Sequence, residues 1–169
     1  FTSSRKDNRG NIYLMRLSGG EAEMITDLKS SVSSLEWSPD GKWIAYTMTD
    51  AKSDEEEKND KGRNDYRWAD ENPKMSRLYV MPVVKDANGK RESKKLTTMA
   101  RSVTAFDWSP DGAKIAFSHV SDPKVDFWPT SDVSIVDVAS GNVTTLVATS
   151  AFESSPIYSH DGRSIALSV

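Results

Sequence analysis

The stretch Val103-Thr-Ala-Phe-Asp-Trp-Ser-Pro-Asp-Gly-Ala-Lys-Ile-Ala-Phe-Ser118 occurs in this chain in three versions. Val32-Ser-Ser-Leu-Glu-Trp-Ser-Pro-Asp-Gly-Lys-Trp-Ile-Ala-Tyr-Thr47 and Glu153-Ser-Ser-Pro-Ile-Tyr-Ser-His-Asp-Gly-Arg-Ser-Ile-Ala-Leu-Ser168 align with it without gaps. Each version reads as a short strand, a Ser-x-Asp-Gly turn and a second short strand. The carboxylates of Asp40, Asp111 and Asp161 suit the backbone N–H groups two residues on, and Gly41, Gly112 and Gly162 supply the positive φ such hairpins need. Ile44, Ile115 and Ile165 each open an apolar Ile-Ala run suited to a buried strand.

A second segment also recurs, as Asn11-Ile-Tyr-Leu-Met-Arg-Leu17, Arg77-Leu-Tyr-Val-Met-Pro-Val83 and Asp132-Val-Ser-Ile-Val-Asp-Val138. Ile12 and Leu14, Leu78 and Val80, and Val133 and Ile135 recur at every second position, the period of a strand with one buried face. A turn follows each (Gly19-Gly20, Asn88-Gly89, Gly141-Asn142), then a short strand ending at Ile25-Thr26, Leu96-Thr97 or Leu146-Val147. Four strands per unit make one blade of a β-propeller. The expected fold is therefore all-β: a partial β-propeller of about three four-stranded antiparallel blades. Repeats fall near 1–46, 47–117 and 118–169, with a charged insertion at 50–75. Phe1-Thr2-Ser3 aligns with Tyr46-Thr47-Met48, and Val169 falls in the equivalent strand. Propellers usually need roughly 4–8 blades to close, so a fragment of a longer propeller is expected, self-associating through its open edges.

Composition narrows the function. Of 169 residues, 22 are Lys or Arg and 25 are Asp or Glu, a net charge of −3 that argues against nucleic-acid binding. No uninterrupted apolar run approaches the roughly 18 residues of a membrane-spanning helix. The absence of cysteine excludes disulfides, thiolate metal sites and cysteine catalysis. Cytoplasm and periplasm are equally compatible with it. Residues 50–74 hold nine acids and six bases, so the whole charge imbalance sits on the insertion. Its first half is too charged to pack and is expected to be a solvated loop. Its second half, Asn64-Asp-Tyr-Arg-Trp-Ala-Asp70, sets Tyr66 and Trp68 among charges, a composition suited to docking.

The Ser-Pro-Asp-Gly signature with its Ile-Ala strand resembles the tricorn/TolB type of propeller repeat. Asp65-Tyr-Arg-Trp68, followed by Ser76-Arg-Leu-Tyr-Val-Met-Pro82, resembles the propellers of the prolyl oligopeptidase family. The dipeptidyl-peptidase and acylaminoacyl-peptidase branches are the most similar. That resemblance implies a propeller that gates and orients short peptides for a serine-peptidase α/β-hydrolase domain absent from this chain. It makes Asp65, Arg67, Trp68, Asp70 and Glu71 the candidate substrate-binding residues: carboxylates for a peptide's amino terminus, oriented by Arg67. A surface ion-pair loop is the plainer account of the same residues. A TolB-like interaction scaffold without enzymatic activity is the alternative function, and a propeller-based polysaccharide lyase the third.

Catalysis is not expected in this chain itself. It has no Gly-x-Ser-x-Gly elbow, no His-x-x-x-His and no phosphate-cradling glycine loop, so neither a cofactor nor a metal is expected. His119, at a strand end, and His160, in place of the turn prolines Pro39 and Pro110, read as structural residues. Trp37 and Trp108 occupy equivalent positions and read as packing residues; Trp43 reads as partly exposed. Asp126-Phe-Trp-Pro129 reads as a hydrophobic plug between blades rather than a loop on a ligand-facing side.

Overall fold

A computed structural model describes residues 1–6, 8–62, 73–98 and 101–169. Among them four antiparallel sheets follow one another along the chain. The first contains β1 (Thr2–Ser3), β2 (Asn11–Leu14) and β3 (Glu23–Met24). The second contains β4 (Val32–Trp37), β5 (Trp43–Thr49), β6 (Ser76–Pro82) and β7 (Lys94–Lys95). The third contains β8 (Ser102–Trp108), β9 (Lys114–Val120), β10 (Asp132–Asp137) and β11 (Val143–Val147). The hairpin of β12 (Ser154–Tyr158) and β13 (Ile165–Ser168) closes the series. The chain is a partial β-propeller: two four-stranded blades flanked by a three-stranded and a two-stranded sheet.

Pairing repeats with the sequence. Thr2, Thr47 and Ser118, which align, face Ile12, Leu78 and Val133 across equivalent strand pairs. Thr26 and Thr97 each accept a hydrogen bond from the amide of the residue opposite, Ile12 at 2.8 Å and Leu78 at 3.0 Å. Repeat boundaries drawn at 46/47 and 117/118 run through β5 and β9, so each four-stranded sheet draws on two sequence periods.

The three turns are built alike. Asp40, Asp111 and Asp161 accept from the amides of Lys42, Ala113 and Arg163 at 3.0, 3.0 and 3.1 Å. Gly41, Gly112 and Gly162 have φ of 69°, 69° and 68°. The serine ahead of each turn closes the ring. Ser38, Ser109 and Ser159 donate to the aspartate and accept the amides of Trp43, Lys114 and Ser164. His160 therefore fills the proline position without altering the turn.

Burial departs from the one-faced pattern expected of the central strands. In β6 both Val80 and Met81 are buried, because the second sheet lies between two cores. Ala45, Leu78, Val80 and Leu96 pack with Val103, Trp108, Ile115 and Phe117 of the third sheet. Ile44, Tyr46 and Met81 pack on the other side with Ile12, Ile25 and Val32. Stacked blades bury both faces of every sheet between them, so the period-two signal weakens.

The aligned tryptophans part company: Trp108 is 5% exposed and Trp37 45%. Trp108 enters the core between two full blades. Trp37 belongs to neither core, and the sheet before its own is the smaller one, with 2 residues in β1 where β5 has 7. Trp43, at 38%, is partly exposed as expected.

Candidate functional site

The Ser-x-Asp-Gly turns occupy one end of the sheets, and the loops joining second to third strands occupy the other. The insertion leaves β5 at Asp50 and re-enters β6 at Ser76, closed at its root by the Asp50 amide on the Met75 carbonyl at 2.8 Å. Its first half is a helix, α1 (Asp54–Lys61), not the solvated loop expected from its charge. A capping box explains it: the Glu56 amide donates to Ser53 Oγ at 3.2 Å, and the Ser53 amide to Glu56 Oε2 at 2.6 Å. Three acids follow Asp54 in the first turn, where the helix dipole favours them. Glu56 also pairs with Lys74 at 2.7 Å, tying the outgoing and returning chain together. Lys74 and the Ser53 amide hold the Glu56 carboxyl well below the usual range.

From this root a polar chain runs inward. Arg77, buried at the start of β6, donates through Nε to Asp50 Oδ2 at 2.9 Å. Lys95 adds a second cation to Asp50 at 3.3 Å. Burial works against the Asp50 charge, but the two cations outweigh it and hold its pKa down. Arg77 Nη1 then donates to the Arg101 carbonyl at 3.2 Å, fixing the segment that carries Arg101.

The Arg101 guanidinium reaches into the third blade. Its Nη1 lies 3.0 Å from His119 Nε2 and 3.2 Å from Ser134 Oγ, while His119 Nε2 and Ser134 Oγ are 2.8 Å apart. A guanidinium only donates, so Nε2 of His119 accepts and the imidazole is neutral. Burial, and then the Arg101 charge, push the His119 pKa down to about 4. Arg101 and His119 border a cavity of about 310 Å³ lined also by Ser121, Thr130, Asp132 and Thr149, with Pro129 and Ser150. Beneath it lies Glu153, 1% exposed, taking a hydrogen bond from Thr149 Oγ1 and donating its amide to the Ser131 carbonyl at 3.0 Å. Glu153 Oε2 and Ser131 Oγ are buried without a hydrogen-bond partner among the described residues.

A 3-10 helix, Val125–Thr130, stands at the rim and buries none of its residues. Phe127 is 41% and Trp128 52% exposed, so this phrase is not the interblade plug that its composition suggests. It lies on the loop side, beside the cavity. His119 is structural in the sense expected, but it also shapes the cavity wall. The substrate-binding residues expected from sequence, Asp65, Arg67, Trp68, Asp70 and Glu71, together with Tyr66, lie outside the described residues.

Two other features are less suited to a site. A cavity of about 590 Å³ is the groove between the third sheet and the β12–β13 hairpin, lined by Ile135, Leu146, Ile165 and Leu167. That is the packing face of a blade. Glu36 and Asp107, equivalent residues of β4 and β8, form a carboxyl pair in which burial and then Asp107 push Glu36 up to about 7. Asp107 also accepts the Tyr158 amide at 2.6 Å, linking blade to blade.

Among solved structures, TolB from Acinetobacter baumannii superposes over 98% of this chain and 33% of its own, with TM-score 0.59 and 22% identity. The shared fold is a β-propeller. A structure from an analysis of two prolyl endopeptidases matches 94% of this propeller and 22% of its own chain, with TM-score 0.58 and 14% identity. The uncharacterised peptidase YuxL of Bacillus subtilis (strain 168) is 41% identical over 49 residues, 29% of this chain. The propeller spans 8% of that relative's length. No family model matches it. At such identities the solved structures establish the propeller architecture, which serves many functions.

Proposed function

We propose that these blades belong to the substrate-gating and substrate-orienting propeller of a serine peptidase acting on short peptides. The dipeptidyl- or acylaminoacyl-peptidase type fits best, with the Ser-His-Asp machinery in an α/β-hydrolase domain outside this chain. The observation that carries this reading is the clustering at one end of the blades. The root and helix of the charged excursion (50–62 and 73–75), the exposed Phe127 and Trp128 and the Arg101 cavity all gather there, opposite the Ser-x-Asp-Gly turns. A propeller that only stacks blades has no use for such an end. One that meets a substrate or a second domain does. The local identity to a bacterial peptidase supports the same reading. Asp65, Arg67, Trp68, Asp70 and Glu71 remain the proposed contacts for a peptide's amino terminus.

The experiment is direct. The full-length protein carrying these blades hydrolyses chromogenic dipeptide or acyl-amino-acid substrates, and the blades alone do not. Absence of hydrolysis by the full-length protein overturns the reading. The fold-wide likeness to TolB favours a second reading, a scaffold for protein interaction without activity. On that reading the full-length protein shows no hydrolysis and retains a partner through the loop-bearing end.

A further inference from the structure

We propose that the cavity bordered by Arg101 and His119 is a binding site for the carboxylate of a small monoanionic ligand. The arrangement of Arg101 carries the proposal. One nitrogen, Nη1, is spent on the neutral His119 and on Ser134, which are 2% and 0% exposed. Among the described residues, Nε and Nη2 have no hydrogen-bond partner and no carboxylate forms an ion pair with this guanidinium. A half-buried cation without an anion is costly, and a protein that merely needed packing there has cheaper side chains. With Nη1 engaged, the Nε–Nη2 edge of the planar fork is left to pair, and its spacing matches the two oxygens of a carboxylate.

The surroundings set the class of ligand. Ser121, Thr130 and Ser150 place hydroxyls around the same cavity. Asp132 lines it too and pairs with no cation among the described residues, and Glu153 is hydrogen-bonded to the lining Thr149. These two carboxylates oppose a second negative charge, so phosphate and dicarboxylates are disfavoured. The volume of about 310 Å³ lies at the small end of ligand pockets. A peptide's C-terminal carboxylate and a sugar acid share the required chemistry. The inference concerns binding by this chain and does not rest on a catalytic partner.

Calorimetric titration of the full-length protein carrying these blades, with N-acetyl-dialanine and with its C-terminal amide, tests it, alongside D-galacturonate and D-galactose. The account expects at least one acid to bind more tightly than its neutral counterpart by about tenfold to a hundredfold, as for a charge-assisted pair. The acid that does so identifies the source. Arg101→Gln abolishes the difference, Arg163→Gln in the opposite turn leaves it intact, and phosphate binds more weakly than the preferred acid. Equal binding of acids and neutral counterparts, no binding of either acid, or a preference that survives Arg101→Gln overturns the proposal. The wild-type comparison decides even if Arg101→Gln fails to fold. Full-length protein without peptidase activity, but with this acid preference, would sink the proposed function and leave the carboxylate site standing.

Discussion

Nε2 of His119 sits 3.0 Å from Nη1 of Arg101, so a buried imidazole accepts a hydrogen bond from a fixed cation. The pair locks His119 neutral and couples the strand end of β9 to the loop-bearing face. Protonating the ring would remove the acceptor and set two positive charges side by side.

Acid should therefore weaken the fold through this residue. The unfolded chain takes up the His119 proton near the ordinary value of 6.5, whereas the folded chain resists until about 4. Stability is thus full above pH 6.5 and falls as pH drops from 6.5 toward 4. Thermal melts of wild type and His119→Gln across that range check it. The wild-type melting temperature falls more steeply than the variant's.

Glu36 should behave in the opposite sense. Its folded pKa of about 7 exceeds the ordinary 4.5, so the folded state holds the proton more tightly. That stabilisation is complete below about 4.5 and is lost as pH rises through 7. Glu36→Gln mimics the protonated acid beside Asp107. It should melt higher than wild type at pH 8, with the advantage vanishing near pH 5.

The aligned tryptophans offer a test of the stacking. Trp108→Ala empties a site in the core between two blades and should cost about 3–5 kcal/mol. Trp37→Ala, at an exposed position, should cost about 1 kcal/mol or less. Urea unfolding of the two variants measures both. Comparable losses would mean that Trp37 is covered as Trp108 is.

The insertion helix depends on its cap. Ser53→Ala removes the hydroxyl that accepts the Glu56 amide and should cost about 1 kcal/mol of local helix stability. Amide exchange across Asp54–Lys61 should quicken while the global melting temperature stays unchanged.

How much of this was legible in the sequence depended on the range of the interactions. The Asp40, Asp111 and Asp161 turns close within a few residues, and the sequence motif captures them completely. The α1 helix is also locally encoded, through the Ser53–Glu56 capping box, but a reading from charge density alone passes over that pair. Two-sided burial of Val80 and Met81 depends on neighbouring sheets that a period-two pattern does not register. The difference between Trp37 and Trp108 likewise lies in what stacks beyond each blade. The cavity brings Arg101, His119, Asp132 and Thr149 together from four separate segments, and no spacing announces that. Its only local sign was Phe127-Trp128 in a loop, which reads as readily as packing.

The central claim, a propeller that gates and orients short peptides for a peptidase, is tested most directly by substrate size. The measurement is kcat/KM of the full-length protein on a chromogenic dipeptide against that on a denatured, extended protein substrate. The account predicts turnover of the dipeptide and little or none of the long chain. Equal turnover of both, or hydrolysis of neither, would contradict it.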